Sequence, residues 1–157
     1  MSRNVRLFKE RDLRKGCSLE EVSEDDFHYL RLLYFKDEVK EEEQERIRKM
    51  EKDIHHKWKG YQQQDSLKDR EDGVLSYSEL LDKLIQSRLR CEYCKKDIYI
   101  LYKRKHQPNQ WTLDRIDNER GHTNDNCVIS CLRCNISKRR RNHEVFKFSK
   151  QVHVIKD

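Results

Sequence analysis

The sequence predicts an α+β protein, mostly helical, in which a charged helical N-terminal region precedes a small cysteine-stapled ββα unit. Three observations lead there. Apolar residues in the first half recur at steps of three and four, the spacing of one helix face. Two short runs with β-branched and aromatic character, WTLDRI and NCVIS, flank a segment rich in Asp, Asn and Gly. Two Cys-x-x-Cys pairs bracket those runs. The expected divisions are a helical region of unassigned role over residues 1–75, the compact unit over 76–145, and a C-terminal tail over 146–157.

Composition narrows the function classes. The chain has 157 residues, 41% of them charged and only 34% hydrophobic, and its mean hydropathy is −1.16. A large apolar core cannot be built from this, so much of the chain must be solvated helix or metal-stapled structure. No apolar run approaches the length of a membrane span, so no membrane partner is expected. The N-terminal MSRNVRLFKERDLRK has no signal-peptide core, which points to an intracellular, reducing compartment, cytoplasmic or nuclear. Residues 1–90 carry 20 Lys+Arg against 21 Asp+Glu, whereas residues 91–157 carry 15 against 8 and hold five of the six cysteines. The excess positive charge therefore sits with the cysteines, where it would concentrate polyanions such as nucleic acid. Solubility alone is the plainer reading of the same charge.

Each element follows from local signals. Ser18 and Glu21 have capping-box spacing ahead of an apolar-spotted stretch from Phe27 to Phe35. Ile47, Met50, Ile54, Trp58 and Tyr61 form one helical stripe on an otherwise charged segment. Gly60 to Gly73, with its polar QQQDSLKDRED, reads as a loop. Ser76 and Glu79 repeat the capping-box spacing and open a helix that buries Leu80, Leu81, Leu84 and Ile85. His55 and His56 are adjacent, so they point to different helix faces and read as solvated surface. WTLDRI should be a strand ending near Asp114, DNERGHTNDN a loop, NCVIS a second strand, and LRCNISKRRRN a cationic helix.

Cys91-x-x-Cys94 and Cys131-x-x-Cys134 are separated by 36 residues. Paired knuckles in a reducing compartment are more often metal ligands than disulfides. Four thiolates close a tetrahedral Zn²⁺ shell with no open position, so this zinc should be structural and contribute about 10–16 kcal/mol of apparent folding energy. Cys127, in the apolar run NCVIS, reads as a buried strand thiol, and Cys17 carries no assignment.

Between and after the knuckles the order of residues resembles the HNH, or ββα-metal (His-Me finger), endonuclease family in its zinc-stapled branch. The family pattern is Asp-His-Ile at the end of the first strand, an Asn opening the second, and Cys-Asn-x-x-Lys on the helix. The chain reads Asp114-Arg115-Ile116, Asn126 and Cys134-Asn135-Ile136-Ser137-Lys138. The likeness covers about residues 88–142, with a looser one from Trp58 through the Tyr77–Arg88 helix, and is greatest to HNH proteins of phages and large DNA viruses. It implies a metal-dependent endonuclease or nickase acting on double-stranded DNA. Asp114 and Asn135 would hold Mg²⁺ or Mn²⁺, oxygen donors suiting a hard cation. That ion would polarise the scissile phosphate and stabilise the departing 3′ oxygen. Asn126 would fix the loop, and Lys138, Arg139, Arg140 and Arg141 would bind phosphates, with Arg139 one turn beyond Asn135.

Arg115 departs from the pattern, for it stands where the family carries the water-activating His. Arginine stays protonated and cannot be a general base, though it can clamp a phosphate. His106, before the first strand, and His122, in the loop, are the candidate bases in equal measure, with Tyr102 behind them. Asp117 reads as a loop-capping residue in preference to a second metal ligand. Two other readings stand beside the nuclease: a catalytically silent zinc module that binds nucleic acid, and oligomerisation or partner binding through the N-terminal helices.

Overall fold

The computed structural model describes residues 25–155, with side chains as far as residue 152. The expected cap at Ser18 and Glu21 and the residue Cys17 lie outside the described residues. Helices α1 (Asp26–Phe35), α2 (Glu41–Leu67) and α3 (Tyr77–Ser87) precede a hairpin of β1 (Trp111–Arg115) and β2 (Cys127–Cys131), which runs directly into α4 (Leu132–Lys138); α5 (His143–Ile155) follows. The strands are antiparallel, with Trp111 opposite Cys131 and Asp114 opposite Val128. None of the described helices is long and apolar enough to cross a membrane.

Helix α2 extends past the expected loop boundary, since Gly60 to Leu67 is helical. A mid-helix glycine costs about 1 kcal/mol against alanine, and tertiary contacts offset it. The Tyr61 hydroxyl accepts from the Leu113 amide at 3.0 Å, and Trp58 Nε1 donates to the Leu75 carbonyl at 2.8 Å. The stripe begun by Ile47, Met50 and Ile54 thus continues through Trp58 and Tyr61 to Asp65, each a step of three or four, and its whole length faces the rest of the fold. His55 lies on this side too, its ring 5.2 Å from both Trp58 and Tyr77, so it is partly buried instead of solvated. Helix α3 opens with the expected capping box. The Ser76 hydroxyl accepts from the Glu79 amide at 3.1 Å, and the Glu79 carboxylate accepts from the Ser76 amide at 2.9 Å.

A single hydrophobic cluster runs from Leu30 through Met50, Ile54, Leu80 and Leu84 to Tyr93, Trp111, Leu113, Ile129 and Phe146. The expected division at residue 75 is therefore no boundary of packing. Asp26 shows how the parts are sewn together: its buried carboxylate accepts from the amides of Ile100 and Leu101 at 2.6 and 2.8 Å. The short hairpin packs with α1, α2 and α3, which supply the apolar area it lacks.

Two further expectations change. Residues 146–157 were expected as a tail, yet α5 runs from His143 to Ile155 and buries Phe146 against the Tyr93 ring. Helix α4 is shorter than LRCNISKRRRN suggested. It ends at Lys138, and Arg139 takes a positive φ of 51° that turns the chain away. Arg139 accordingly does not continue the Asn135 face as a next turn. The turn spreads Arg139, Arg140 and Arg141 into solvent, while Lys138 stays inside.

Candidate functional site

Four sulfurs form the base. The ligand atoms of Cys91, Cys94, Cys131 and Cys134 all lie within 4.8 Å of one another. The Cys94 and Cys131 sulfurs are 3.9 Å apart, whereas a disulfide holds its sulfurs at about 2.05 Å. A tetrahedral site with Zn–S near 2.3 Å separates its sulfurs by about 3.8 Å, so the cluster fits a metal ion such as zinc and not a bond between thiols. Local structure places each ligand. Cys131 ends β2 and caps α4, its sulfur accepting from the Cys134 amide at 3.4 Å. The first knuckle turns on Lys95, whose amide donates to the Cys91 carbonyl at 3.0 Å, and it hangs on β2 through Glu92 N and the Ile129 carbonyl. Hydrogen bonding from the Cys131 and Cys134 thiols drives Cys91 far toward its thiolate. Cys127 stands apart from the cluster, buried, and burial pushes its thiol up to about 12, as expected of an inert strand cysteine.

Above this base, β1 and α4 face each other across one layer. Thr112 and Asp114 share a strand face, and Asn135 and Lys138, three apart, share a helix face. Asn135 Nδ2 donates to Thr112 Oγ1 at 3.1 Å, and Lys138 Nζ donates to Asp114 Oδ2 at 3.1 Å and to the Arg115 carbonyl at 2.7 Å. Lys138 is 0% exposed. The expectation that its ammonium contacts phosphate is corrected accordingly: it neutralises Asp114 inside the protein, because a buried carboxylate demands a partner. Arg139, Arg140 and Arg141 keep their exposure. Asp114 and Asn135 thus stand on the two facing elements with different partners, Asp114 Oδ2 held by Lys138 and Tyr93 and the Asn135 amide by Thr112.

The loop after β1 is fastened from within. Asn126, 1% exposed, accepts from the Asp117 amide at 2.9 Å and donates to the carbonyls of Asp117 and Gly121 at 3.0 and 2.9 Å. These bonds hold the loop, and none leads to the Asp114 carboxylate. Asp117 caps the turn by accepting from the Glu119 amide at 2.9 Å. Arg115 points to the same loop: its Nη1 donates to the carbonyls of Asn118 and Arg120 at 2.6 and 3.1 Å. Burial, with Arg70 nearby, lowers its pKa from the ordinary value.

The candidate bases fall in different places. His106 is exposed in the turn closed by Gln107 N and the Arg104 carbonyl. Tyr102 is buried, with Lys57 Nζ 4.9 Å above its ring. His122 is buried against the Tyr61 ring, and its Nδ1 meets Asp65 Oδ1 at 2.8 Å while its amide donates to Asp65 Oδ2 at 2.7 Å. Gly121 makes room for that carboxylate, since a Cβ there would lie 2.9 Å from Asp65 Oδ2.

The Asp65–His122 pair makes a pH prediction. Burial holds the His122 ring below its ordinary 6.5, outweighing the pull of Asp65. Burial alone would raise Asp65, but hydrogen bonds from the His122 amide and ring hold it below its ordinary 3.8. The two directions agree on a neutral ring donating Nδ1–H to a carboxylate. Because the folded ring binds its proton less readily than the unfolded one, the His122 contribution is complete above 6.5 and lost as pH falls below that value. The melting difference between the wild type and His122→Gln is therefore expected to be largest near pH 7 and to narrow toward pH 5. Metal loss in acid affects both and cancels; a difference independent of pH would refute the assignment.

Three residues around these groups are defining positions of no sequence motif described above. Tyr93, inside the first knuckle, donates a short hydrogen bond to Asp114 Oδ2 and lies 3.0 Å from His143 Nδ1. Burial and the Asp114 charge hold its phenol protonated, well above the usual range. His143 stands at the start of α5, close to the expected tail. Asp65 continues the α2 stripe beyond Tyr61, which was the available clue. No family model, no curated protein and no solved structure matches this chain.

Proposed function

We propose that the chain is a metal-dependent HNH-type endonuclease or nickase that hydrolyses phosphodiester bonds in DNA. The observation that carries this reading is that Asp114 on β1 and Asn135 on α4 come, in the family's order, from two elements bonded to each other, Lys138 to Asp114 and Asn135 to Thr112, with α4 opening at the four-cysteine cluster. Asn126 supports it by holding the intervening loop, and Arg139 to Arg141 supply exposed charge for the phosphate backbone beside it. A divalent cation on Asp114 and Asn135 would supply charge neutralisation at the scissile phosphate. The chain's own residues would do the rest: Lys138 and Tyr93 orient the Asp114 carboxylate, Thr112 orients the Asn135 amide, and the arginines seat the backbone.

The test is nicking of supercoiled plasmid by the full zinc-loaded chain with Mg²⁺ or Mn²⁺. Asn135→Ala is the informative variant, since it is partly exposed and removes one metal oxygen without stranding a buried charge. Losing several kcal/mol of charge stabilisation should slow nicking by about 100-fold or more. Equal nicking by the wild type and Asn135→Ala would defeat the proposal.

The Lys138–Asp114 pair favours a second reading specifically. An internal ammonium already sits on the carboxylate that would take the cation, which suits a silent zinc module that binds nucleic acid. That module would bind plasmid in a salt-dependent way, indifferent to Asn135→Ala and to divalent ions.

A further inference from the structure

We propose that His143 is the general base of this site, filling the role that Arg115 cannot; the inference rests on the nuclease reading above. Four observations lead to it. First, His143 belongs to the Asp114 cluster. Its Nδ1 lies 3.0 Å from the Tyr93 hydroxyl, which itself donates to Asp114 Oδ2, so one phenol bridges the histidine and the carboxylate.

Second, the chain of donors sets the tautomer. Tyr93 has a single hydroxyl proton, and that proton is committed to Asp114, whose Oδ2 also accepts from Lys138. The phenol oxygen can then only accept, so the hydrogen between it and His143 belongs to Nδ1. In a neutral imidazole this leaves Nε2 unprotonated, with its lone pair available.

Third, Nε2 lies on the Glu144 side of the ring. It is 3.9 Å from the Glu144 carboxylate, a side chain 84% exposed, while the His143 side chain itself is 10% exposed. His143 also lines an open groove of about 470 Å³ together with residues 116–119 and its neighbours from Arg140 to Glu144. Phosphate-seeking arginines and an available imidazole nitrogen thus share one groove of a size that holds small ligands.

Fourth, the histidine is held rigidly. Asn142 caps its helix by accepting from the Val145 amide at 3.1 Å, and one turn on Phe146 packs its ring edge-on to Tyr93. Asp114, Lys138 and Tyr93 on the inner side, and Asp117, Glu119, Arg140, Arg141 and Glu144 around the groove, are the ionisable groups around it.

The step is a proton transfer coupled to substitution at phosphorus. His143 Nε2 takes a proton from water as the water oxygen bonds to phosphorus. The P–O3′ bond breaks, its electron pair leaves with O3′, and O3′ is protonated from solvent. A 5′-phosphate and a 3′-hydroxyl result, and the imidazolium returns its proton to bulk water. Tyr93 acts through His143 and is a positioning residue.

The experiment uses the full zinc-loaded chain and supercoiled plasmid with Mg²⁺. His143→Asn keeps an amide N–H directed at the Tyr93 oxygen but has no basic nitrogen. Its nicking is expected to fall about 10²–10⁴-fold, with zinc content, melting temperature and plasmid affinity unchanged, and added imidazole should restore part of the activity of His143→Gly. A readout that needs no catalysis comes from ¹⁵N-imidazole NMR without Mg²⁺: His143 of the wild type should carry its proton on Nδ1, and Tyr93→Phe should remove that preference. Nicking by His143→Asn within about threefold of wild type, or an Nε2-protonated ring, overturns the inference while leaving the nuclease reading intact. A wild type that nicks nothing overturns both.

Discussion

Withholding a metal ion such as zinc from the cysteine cluster is expected to abolish cooperative folding of the hairpin and α4. Cys91, Cys131 and Cys134 are buried members of the same hydrophobic cluster as Tyr93, Leu113 and Trp111. Cys131 alone ends β2, caps α4 and carries a ligand sulfur. Four thiols brought this close repel once two or more ionise, so without a cation the knuckles must either protonate or separate. A structural zinc contributes about 10–16 kcal/mol of apparent folding energy, against a total stability of about 5–15 kcal/mol for an ordinary domain. The loss therefore exceeds what the small apolar core can make up. Metal analysis should return one tightly held zinc per chain. Chelation, or Cys134→Ser, should remove the near-ultraviolet signal of Trp111 and Tyr93, and zinc should restore it after chelation alone. A metal-free chain that melts at the temperature of the loaded one sinks this account of the fold.

Asp114→Ala should be the most damaging substitution outside the cysteines, and its damage should fall on stability before activity. It removes the carboxylate opposite Lys138, whose ammonium is fully buried, and leaves the Tyr93 hydroxyl without its acceptor. Breaking a buried pair from one side costs about 3–5 kcal/mol, because the surviving charge is stranded in a low-dielectric interior. The double variant Asp114→Ala/Lys138→Met should recover most of that loss, since no charge is left buried. Denaturant titration of the wild type, both single variants and the double variant measures the coupling. A single-variant cost below about 1 kcal/mol would mean that the pair is solvated and the described layer is open. The cycle also bears on function. Inactivity of Asp114→Ala alone is ambiguous between unfolding and lost chemistry, whereas a stable but inactive double variant isolates the chemistry.

What was legible in the sequence follows from interactions between near neighbours. The α2 stripe from Ile47 to Tyr61, the Ser76 capping box, the two strand runs and the two knuckles are each carried by residues a few positions apart, and each is where local periodicity put it. Misread segments share a cause. Gly60 to Leu67 looked like a loop because its helix is held by long-range bonds, Tyr61 to Leu113 and Asp65 to His122. The end of α4 was overrun because only the turn at Arg139 shows where the helix stops. Lys138 reads like the arginines that follow it, since a charge next to three others gives no sign of which one is buried.

By itself the sequence determined the hairpin, the helix after it and the cysteine pairs, since spacing along the chain is sufficient for periodicity, caps and tetrahedral sulfur. Only the tertiary structure decided which polar groups meet: that Asp114 is neutralised by Lys138, that Arg115 grips loop carbonyls, that His122 belongs to Asp65, and that Tyr93 joins His143 to Asp114. Those partners lie 21 to 57 residues apart, save for Arg115 and its own loop. Hydrogen bonds act over about 3 Å, so partners that far apart along the chain become neighbours only through the packing of a common core.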